Sequence, residues 1–406
     1  MELDRNECFS AKAAEVRSRY PWYDSLLRQH AAEASPLTPE RFPLLTSDVL
    51  ERFYYSQPPA DESSLSVYYT SGTSTGKRKA IYYSAQDDDR YIEIKTMLFG
   101  KWLRGEPTRK AMADLGTGHA ASTALDVFRQ LGLECVSISF EQPIEEHIER
   151  LEAFRPDLLY TMPSILEQIA NASADPSQYG IKKIILVGEI ASSEWQRKYA
   201  AAFGIRPHDM LDTYGSMEIG TIASYSHELG KYVLAPGLYA EGIKPESLQE
   251  KIEPLLPNER ILVLTSFVRT SFPALRYVTY DVVRDLETVV IDGVPRQCFA
   301  CISKRVGSEL KHGEKISLYD IEEAIYGYVE TAEVKVQFSD NRLTVLIYGK
   351  SLNEAIIPSI QKAIERKIPE IGQMIRNRLI QSIEVRAVQD RESLVRAKIK
   401  KKKFYY

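Results

Sequence analysis

Between two β-prone runs lies a loop of small hydroxyl residues and glycines whose types directly imply chemistry. Residues 66–84 read Ser-Val-Tyr-Tyr-Thr-Ser-Gly-Thr-Ser-Thr-Gly-Lys-Arg-Lys-Ala-Ile-Tyr-Tyr-Ser. Gly72 and Gly76 let the backbone turn and approach a ligand closely, and Thr70, Ser71, Thr73, Ser74 and Thr75 offer hydroxyl donors. Lys77, Arg78 and Lys79 add positive charge, and the combination suits a phosphate. It is not a Walker loop, because three residues instead of four separate the glycines and Arg78 follows the lysine. Nor is it a dinucleotide fingerprint, because both flanks read as strand. On composition alone, a polar hairpin with a solvated basic rim remains the alternative.

A second group follows at Asp212-Thr-Tyr-Gly-Ser-Met-Glu-Ile-Gly220. There Tyr214 offers an aromatic face and Glu218 a carboxylate. Val187-Gly188-Glu189 offers close backbone approach beside an acceptor, with a helix N-terminal carboxylate as the other reading of Glu189. His119 stands in the Gly-rich run Gly116-Thr-Gly118-His119, either as a pocket residue or as a structural hydrogen-bonding histidine.

The loop from Tyr69 to Lys79 resembles the phosphate-binding signature of the adenylate-forming superfamily of acyl-CoA synthetases, adenylation domains and luciferases, and the later motifs resemble its phenylacetate-CoA ligase branch in order. The resemblance implies ATP and Mg²⁺ as cofactors. It implies Thr70–Lys77 on the ATP phosphates, Gly188, Glu189, Tyr214, Gly215 and Ser216 around adenine, and Glu218 on Mg²⁺. Met217 stands where a threonine hydroxyl is usual. Leu275-Arg-Tyr-Val-Thr-Tyr-Asp281 resembles Arg-Tyr-Arg-Thr-Gly-Asp, which makes Asp281 the acceptor for the ribose hydroxyls. Lys304 or Arg305 takes the hinge arginine's place, and Lys398, or else Lys400, is the catalytic lysine of a basic tail that also reads as a solvated end. Gly118, His119, Met162 and Pro163 are implied for the acid pocket.

These residues need a scaffold. Met112–Leu115, Cys135–Ser139, Leu158–Thr161 and Ile181–Val187 read as strands alternating with helices, the pattern of a parallel sheet that binds ligands at its strand carboxyl ends. Beyond Ser303, a helix, a hairpin, a helix and a strand read as a compact α+β unit. The expectation is an α/β protein with a large N-terminal domain (1–302) of parallel-rich sheets flanked by helices and a small C-terminal domain (303–406), which the resemblance implies is mobile.

The 406 residues, 44% hydrophobic and 27% charged, describe a soluble globular chain. A net charge of −4 gives no pull towards nucleic acid, and no run approaches bilayer length. With no signal peptide visible, a cytoplasmic location is expected. Cys298 and Cys301 have metal-ligand spacing without a second pair, so buried strand thiols are expected over zinc. The resemblance implies a ligase making acyl-AMP from a small carboxylic acid, with coenzyme A or a carrier-protein phosphopantetheine as acceptor. An aryl acid such as a hydroxybenzoate, in a siderophore-type pathway, is the first expectation. A fatty-acyl-protein synthetase-like enzyme and a catalytically silent nucleotide-binding protein are the alternatives.

Overall fold

The computed structural model describes residues 5–30, 39–57, 62–69, 79–105, 107–116, 118–248, 250, 252, 254–306, 318–329, 332–339, 342–349, 352–368, 371, 375 and 383–388. Helices α1 (Arg5–Arg19), α2 (Trp22–His30) and the single turn α3 (Ser47–Leu50) come first, with Phe9, Val16, Tyr23 and Leu45 clustered on Leu275. Strands β1 (Ser66–Tyr69) and β2 (Ala80–Tyr83) pair antiparallel, so Tyr69 and Ala80 stand opposite each other at the two ends of the hydroxyl-rich stretch. Helix α4 (Ala85–Leu103) opens on a capping box: Ser84 Oγ accepts from the Asp87 amide, and the Asp87 carboxylate accepts from the Ser84 amide. Such a cap contributes about 1 kcal/mol and fixes where the helix begins.

The alternation read from the sequence then becomes β3 (Lys110–Leu115), α5 (His119–Gln130), β4 (Glu134–Ser139), α6 (Ile144–Phe154), β5 (Leu158–Thr161), α7 (Pro163–Ala172), β6 (Lys183–Val187), α8 (Ser193–Ala202) and β7 (Met210–Ser216). Strands β4, β3, β5, β6 and β7 lie side by side in parallel. Every residue of β5 is buried, as in a strand covered on both faces. On one face Phe99, Phe128, Tyr160 and Ile185 pack together; on the other Leu159, Leu166, Ile184 and Trp195 do. Each such side chain contributes about 1.5–3 kcal/mol on burial.

The sheet continues antiparallel through β8 (Gly220–Ser226) and β9 (Lys231–Leu234). A second sheet holds β10 (Leu238–Ile243), β11 (Glu259–Ser266) and β12 (Tyr277–Arg284). The hairpin β13 (Glu287–Ile291) and β14 (Val294–Phe299) extends the first sheet to nine strands, and β15 (Cys301–Arg305) adds a fourth strand to the second. Cys298 and Cys301 are free thiols in these strands. Strand β15 pairs antiparallel with β12 as far as Arg305, which stands opposite Asp281.

The last elements are α9 (Leu318–Tyr326), β16 (Glu333–Ser339), β17 (Arg342–Tyr348), α10 (Ile357–Lys367) and β18 (Glu384–Ala387). They form a three-stranded sheet with its own core of Ile321, Ile325, Val345 and Ile360.

Candidate active site

At the carboxyl end of β6 the chain turns through Gly188, whose φ of +84° is one that residues with a Cβ rarely adopt. Gly188, Glu189, Thr213, Tyr214 and Tyr232 line a pocket of about 150 Å³. Glu189 is 5% exposed, and its Oε2 accepts from the Ser164 amide at 2.7 Å, so it caps α7 while facing the pocket. Gly215 also lines it, but a Cβ there would lie 2.7 Å from the Gly220 carbonyl oxygen; the β7–β8 hairpin itself requires the glycine. Ser216 Oγ accepts from the Ile219 amide and closes that turn.

Tyr214 Oη donates to Asp281 Oδ2 at 2.6 Å, which ties the pocket to β12. Asp281 is 4% exposed, and its Oδ1 has no hydrogen-bond donor among the described residues. Burial raises its pKa, while Arg305, with Nε 3.7 Å from Oδ1, and the Tyr214 hydroxyl act in the opposite sense. A buried carboxylate oxygen lacking a donor suits a ligand hydroxyl. Lys304 is not part of this cluster, since it pairs with Glu259 at 3.2 Å; its neighbour Arg305 is the cation beside Asp281. Strand alternation explains the choice, because adjacent residues face opposite sides.

Sequence reasoning gave no role to Asp212, also in this pocket. Burial pushes its carboxyl up to about 7, against the Tyr232 hydroxyl and the Thr213 amide that stabilise the anion. Its position two residues before Tyr214 was the available signal.

Glu218 sits in the β7–β8 turn, half-buried, with Oε1 3.5 Å from Tyr55 Oη. Lys79, at the exit of the hydroxyl-rich stretch, lies 4.7 Å from the Tyr55 ring centroid and 3.6 Å from Glu51. Tyr83 Oη donates to the Met217 carbonyl at 2.8 Å, and Arg269 Nε to the Glu218 carbonyl at 3.2 Å. The flank of the loop and Glu218 are therefore joined through Tyr55, Tyr83 and Arg269. Residues Thr70, Ser71, Gly72, Thr73, Ser74, Thr75, Gly76 and Lys77 lie outside the described residues, as do Lys398 and Lys400.

A buried hub that the sequence did not suggest holds this region. The Arg269 guanidinium donates to Asp87 and to the Tyr82 carbonyl and stacks 3.6 Å from the Tyr83 centroid. Asp87 also accepts from the Thr270 and Ser271 amides, and these contacts hold its pKa low against burial.

The residues expected for the acid pocket adjoin the pocket at Gly188. A Cβ at Gly116 would meet Met162 Sδ at 3.4 Å, one at Gly188 would meet Met162 Cε at 3.7 Å, and one at Gly118 would meet Met217 Cε at 2.6 Å. Pro163 is the first residue of α7. His119 is 4% exposed, its Nε2 2.7 Å from Asp88 Oδ1 and its ring 3.9 Å from both Tyr83 and Tyr91. Burial lowers its pKa, and Asp88 opposes the shift.

Comparison with known proteins bears on what this arrangement serves. Residues 10–264 match the AMP-binding enzyme family, and residues 311–390 match the fumarate-diaminopropanoate ligase C-terminal domain. The chain is 36% identical over 384 residues to the fumarate-(S)-2,3-diaminopropanoate ligase of Enterobacter agglomerans, covering 93% of this chain and 94% of that one. Its fold is similar to that of 2-hydroxyisobutyryl-CoA ligase in the postadenylation state, with a TM-score of 0.71 at 15% identity over 94% of this chain and 85% of the other. The same enzyme in its thioesterification state gives 0.61 at 14% identity, with the same coverage. The aryl-acid and siderophore expectation finds no support in these comparisons; the relative aligned along almost the whole chain is named for fumarate, an aliphatic acid. The family match over residues 10–264 and the relative aligned along almost the whole chain agree, and the chain belongs to the AMP-binding enzyme family, as a ligase that activates an acid with ATP.

Proposed function

We propose that this protein joins a short dicarboxylic acid of the fumarate type to the amine of a diamino acid through an acyl adenylate. The observation carrying this reading is the 36% identity to a fumarate-(S)-2,3-diaminopropanoate ligase along almost the whole of both chains. Joining those two compounds makes an amide, so the acceptor is an amine, in place of the thiol of coenzyme A or of a carrier protein.

In this reading one carboxylate oxygen attacks the α-phosphorus of ATP and pyrophosphate leaves. The amine nitrogen then attacks the acyl carbonyl, AMP departs with the carboxylate-derived oxygen, and the nitrogen loses a proton. No covalent bond to the protein forms, so its contribution is positioning and charge compensation. The pocket beside Gly188 and Tyr214 takes the adenine, with Glu189 and Gly215 among its walls and Ser216 closing the adjoining turn. Asp281 accepts the ribose hydroxyls through the oxygen that lacks a donor, with Arg305 compensating its charge. Thr70–Lys77 and Lys398 bear on the phosphates and the reacting carboxylate. Glu218 fits Mg²⁺, which needs one or two carboxylates and completes its shell with phosphate oxygens and water. The bound ion would supply charge neutralisation for the departing pyrophosphate.

The test is to incubate the purified protein with Mg·ATP, fumarate and (S)-2,3-diaminopropanoate and to follow AMP and product mass. The expected result is AMP equimolar with amide, independent of coenzyme A. AMP formation that requires a thiol, or none with any dicarboxylic acid, overturns the reading.

A further inference from the structure

One buried cation in the large domain has no part in the nucleotide site. Lys95, on α4, is 3% exposed, and no carboxylate lies within ion-pair distance of it among the described residues. Its Nζ donates to Tyr160 Oη and lies 4.8 Å from the ring centroids of Tyr91 and Tyr160 and 5.7 Å from that of Phe99. Burial pushes its pKa down to about 7. Aromatic faces recover part of the cost of an ammonium away from water, but the full compensation is a counter-ion with hydrogen bonds.

The surroundings connect this cation to the acid-pocket residues. Tyr160 is two residues before Met162, whose side chain packs against both Gly116 and Gly188. Tyr91 lies 3.9 Å from the His119 ring, and His119 Nδ1 is buried without a hydrogen-bond partner among the described residues. An uncompensated cation and an unbonded ring nitrogen thus flank one tyrosine. The adjoining Met162 and Met217 side chains are unbranched and re-seat easily around a small ligand.

We infer that Lys95, seated on Tyr160, receives the second carboxylate of a dicarboxylic acid whose first carboxylate is adenylated, with His119 Nδ1 as the neighbouring polar contact. The inference rests on the fumarate-type reading above and names the residue that makes the acid a dicarboxylate. A methyl-terminated acid of the same length leaves the ammonium without a counter-ion, so it binds poorly. Sites built on a buried polar group discriminate in this way far more strongly than apolar pockets discriminate size.

The experiment compares acid-dependent pyrophosphate exchange into ATP with fumarate and with crotonate, which carries a methyl group in place of the second carboxylate. Wild-type protein, Lys95→Met and Tyr160→Phe are assayed, with thermal unfolding of each. Wild type should favour fumarate in kcat/KM by about 100-fold or more. Lys95→Met should lose most of that preference by falling on fumarate while keeping or gaining activity on crotonate, with its melting temperature retained or raised. Tyr160→Phe, the milder change, should reduce the preference about tenfold, and it decides the matter if Lys95→Met fails to fold. Equal losses on both acids, or an unchanged ratio, overturn the role of Lys95. A wild type that uses crotonate but no dicarboxylic acid overturns the inference together with the fumarate reading. Fumarate use with a ratio indifferent to Lys95 overturns the inference alone.

Discussion

Asp281 combines two features that usually exclude each other, deep burial and an oxygen without a donor. Such an atom costs about 1–3 kcal/mol unless a ligand satisfies it. Asp281→Asn should raise the KM for ATP at least tenfold, about 1.4 kcal/mol, with the melting temperature unchanged or higher, as measured by pyrophosphate exchange and calorimetry. Asp212 makes a prediction about pH. Its folded carboxyl keeps its proton up to about 7, whereas an unfolded aspartate loses it near about 3.9, so between these values the unfolded state binds fewer protons and stability falls as pH rises. Asp212→Asn should flatten that part of a plot of melting temperature against pH; an unchanged slope would place the effect elsewhere.

The β7–β8 hairpin presents Glu218 and the Tyr214 ring together, and its geometry depends on Gly215. A methyl group 2.7 Å from the Gly220 carbonyl forces a backbone shift, so Gly215→Ala should cost about 1–3 kcal/mol in denaturant unfolding and lower exchange activity with it. Strand β12 shows a related constraint. Tyr280 stands where the related motif carries glycine and adopts φ +63°, while its hydroxyl accepts from the Ser47 amide and contacts Glu250. The left-handed backbone explains the glycine of the motif, and the tyrosine's hydrogen bonds offset its strain here.

In the whole molecule, specific contacts join the two domains among the described residues. Arg284 of the large domain donates to Asp320 of α9 at 2.7 and 2.9 Å while also pairing with Glu259, and Ser192 donates to Glu322 at 2.6 Å. Asp320→Asn should loosen this docking and shift small-angle scattering towards a larger radius of gyration, with the cores of both domains intact. Lys95 adds a global pH signature opposite in sign to that of Asp212. Its folded ammonium sheds a proton near 7 and an unfolded lysine near about 10.4, so stability rises with pH across that window. Lys95→Met should abolish the rise and increase the melting temperature at neutral pH.

Much of this protein was legible as a string. The alternation from Met112 to Val187 has the periods of strand and helix, and covered strands are apolar throughout, so the parallel sheet could be read directly. Glycines and a Tyr-Gly-Ser-Met-Glu run announce themselves because few backbones or ligands need that combination. Local order therefore established the elements, and the resemblance of these motifs to the adenylate-forming superfamily pointed to the ATP chemistry. What it could not settle were pairings across long stretches of chain. The preference for Arg305 over Lys304 follows from which face of β15 meets β12. The Arg269–Asp87 hub joins residues 182 apart. Lys95 reads as one charge among many on an amphipathic helix until folding places it beneath Tyr160, away from water and from any acidic group among the described residues. Desolvation and the absence of a counter-ion arise when distant segments pack, and those two quantities, not residue type, turn an ordinary lysine into a candidate receptor for a carboxylate.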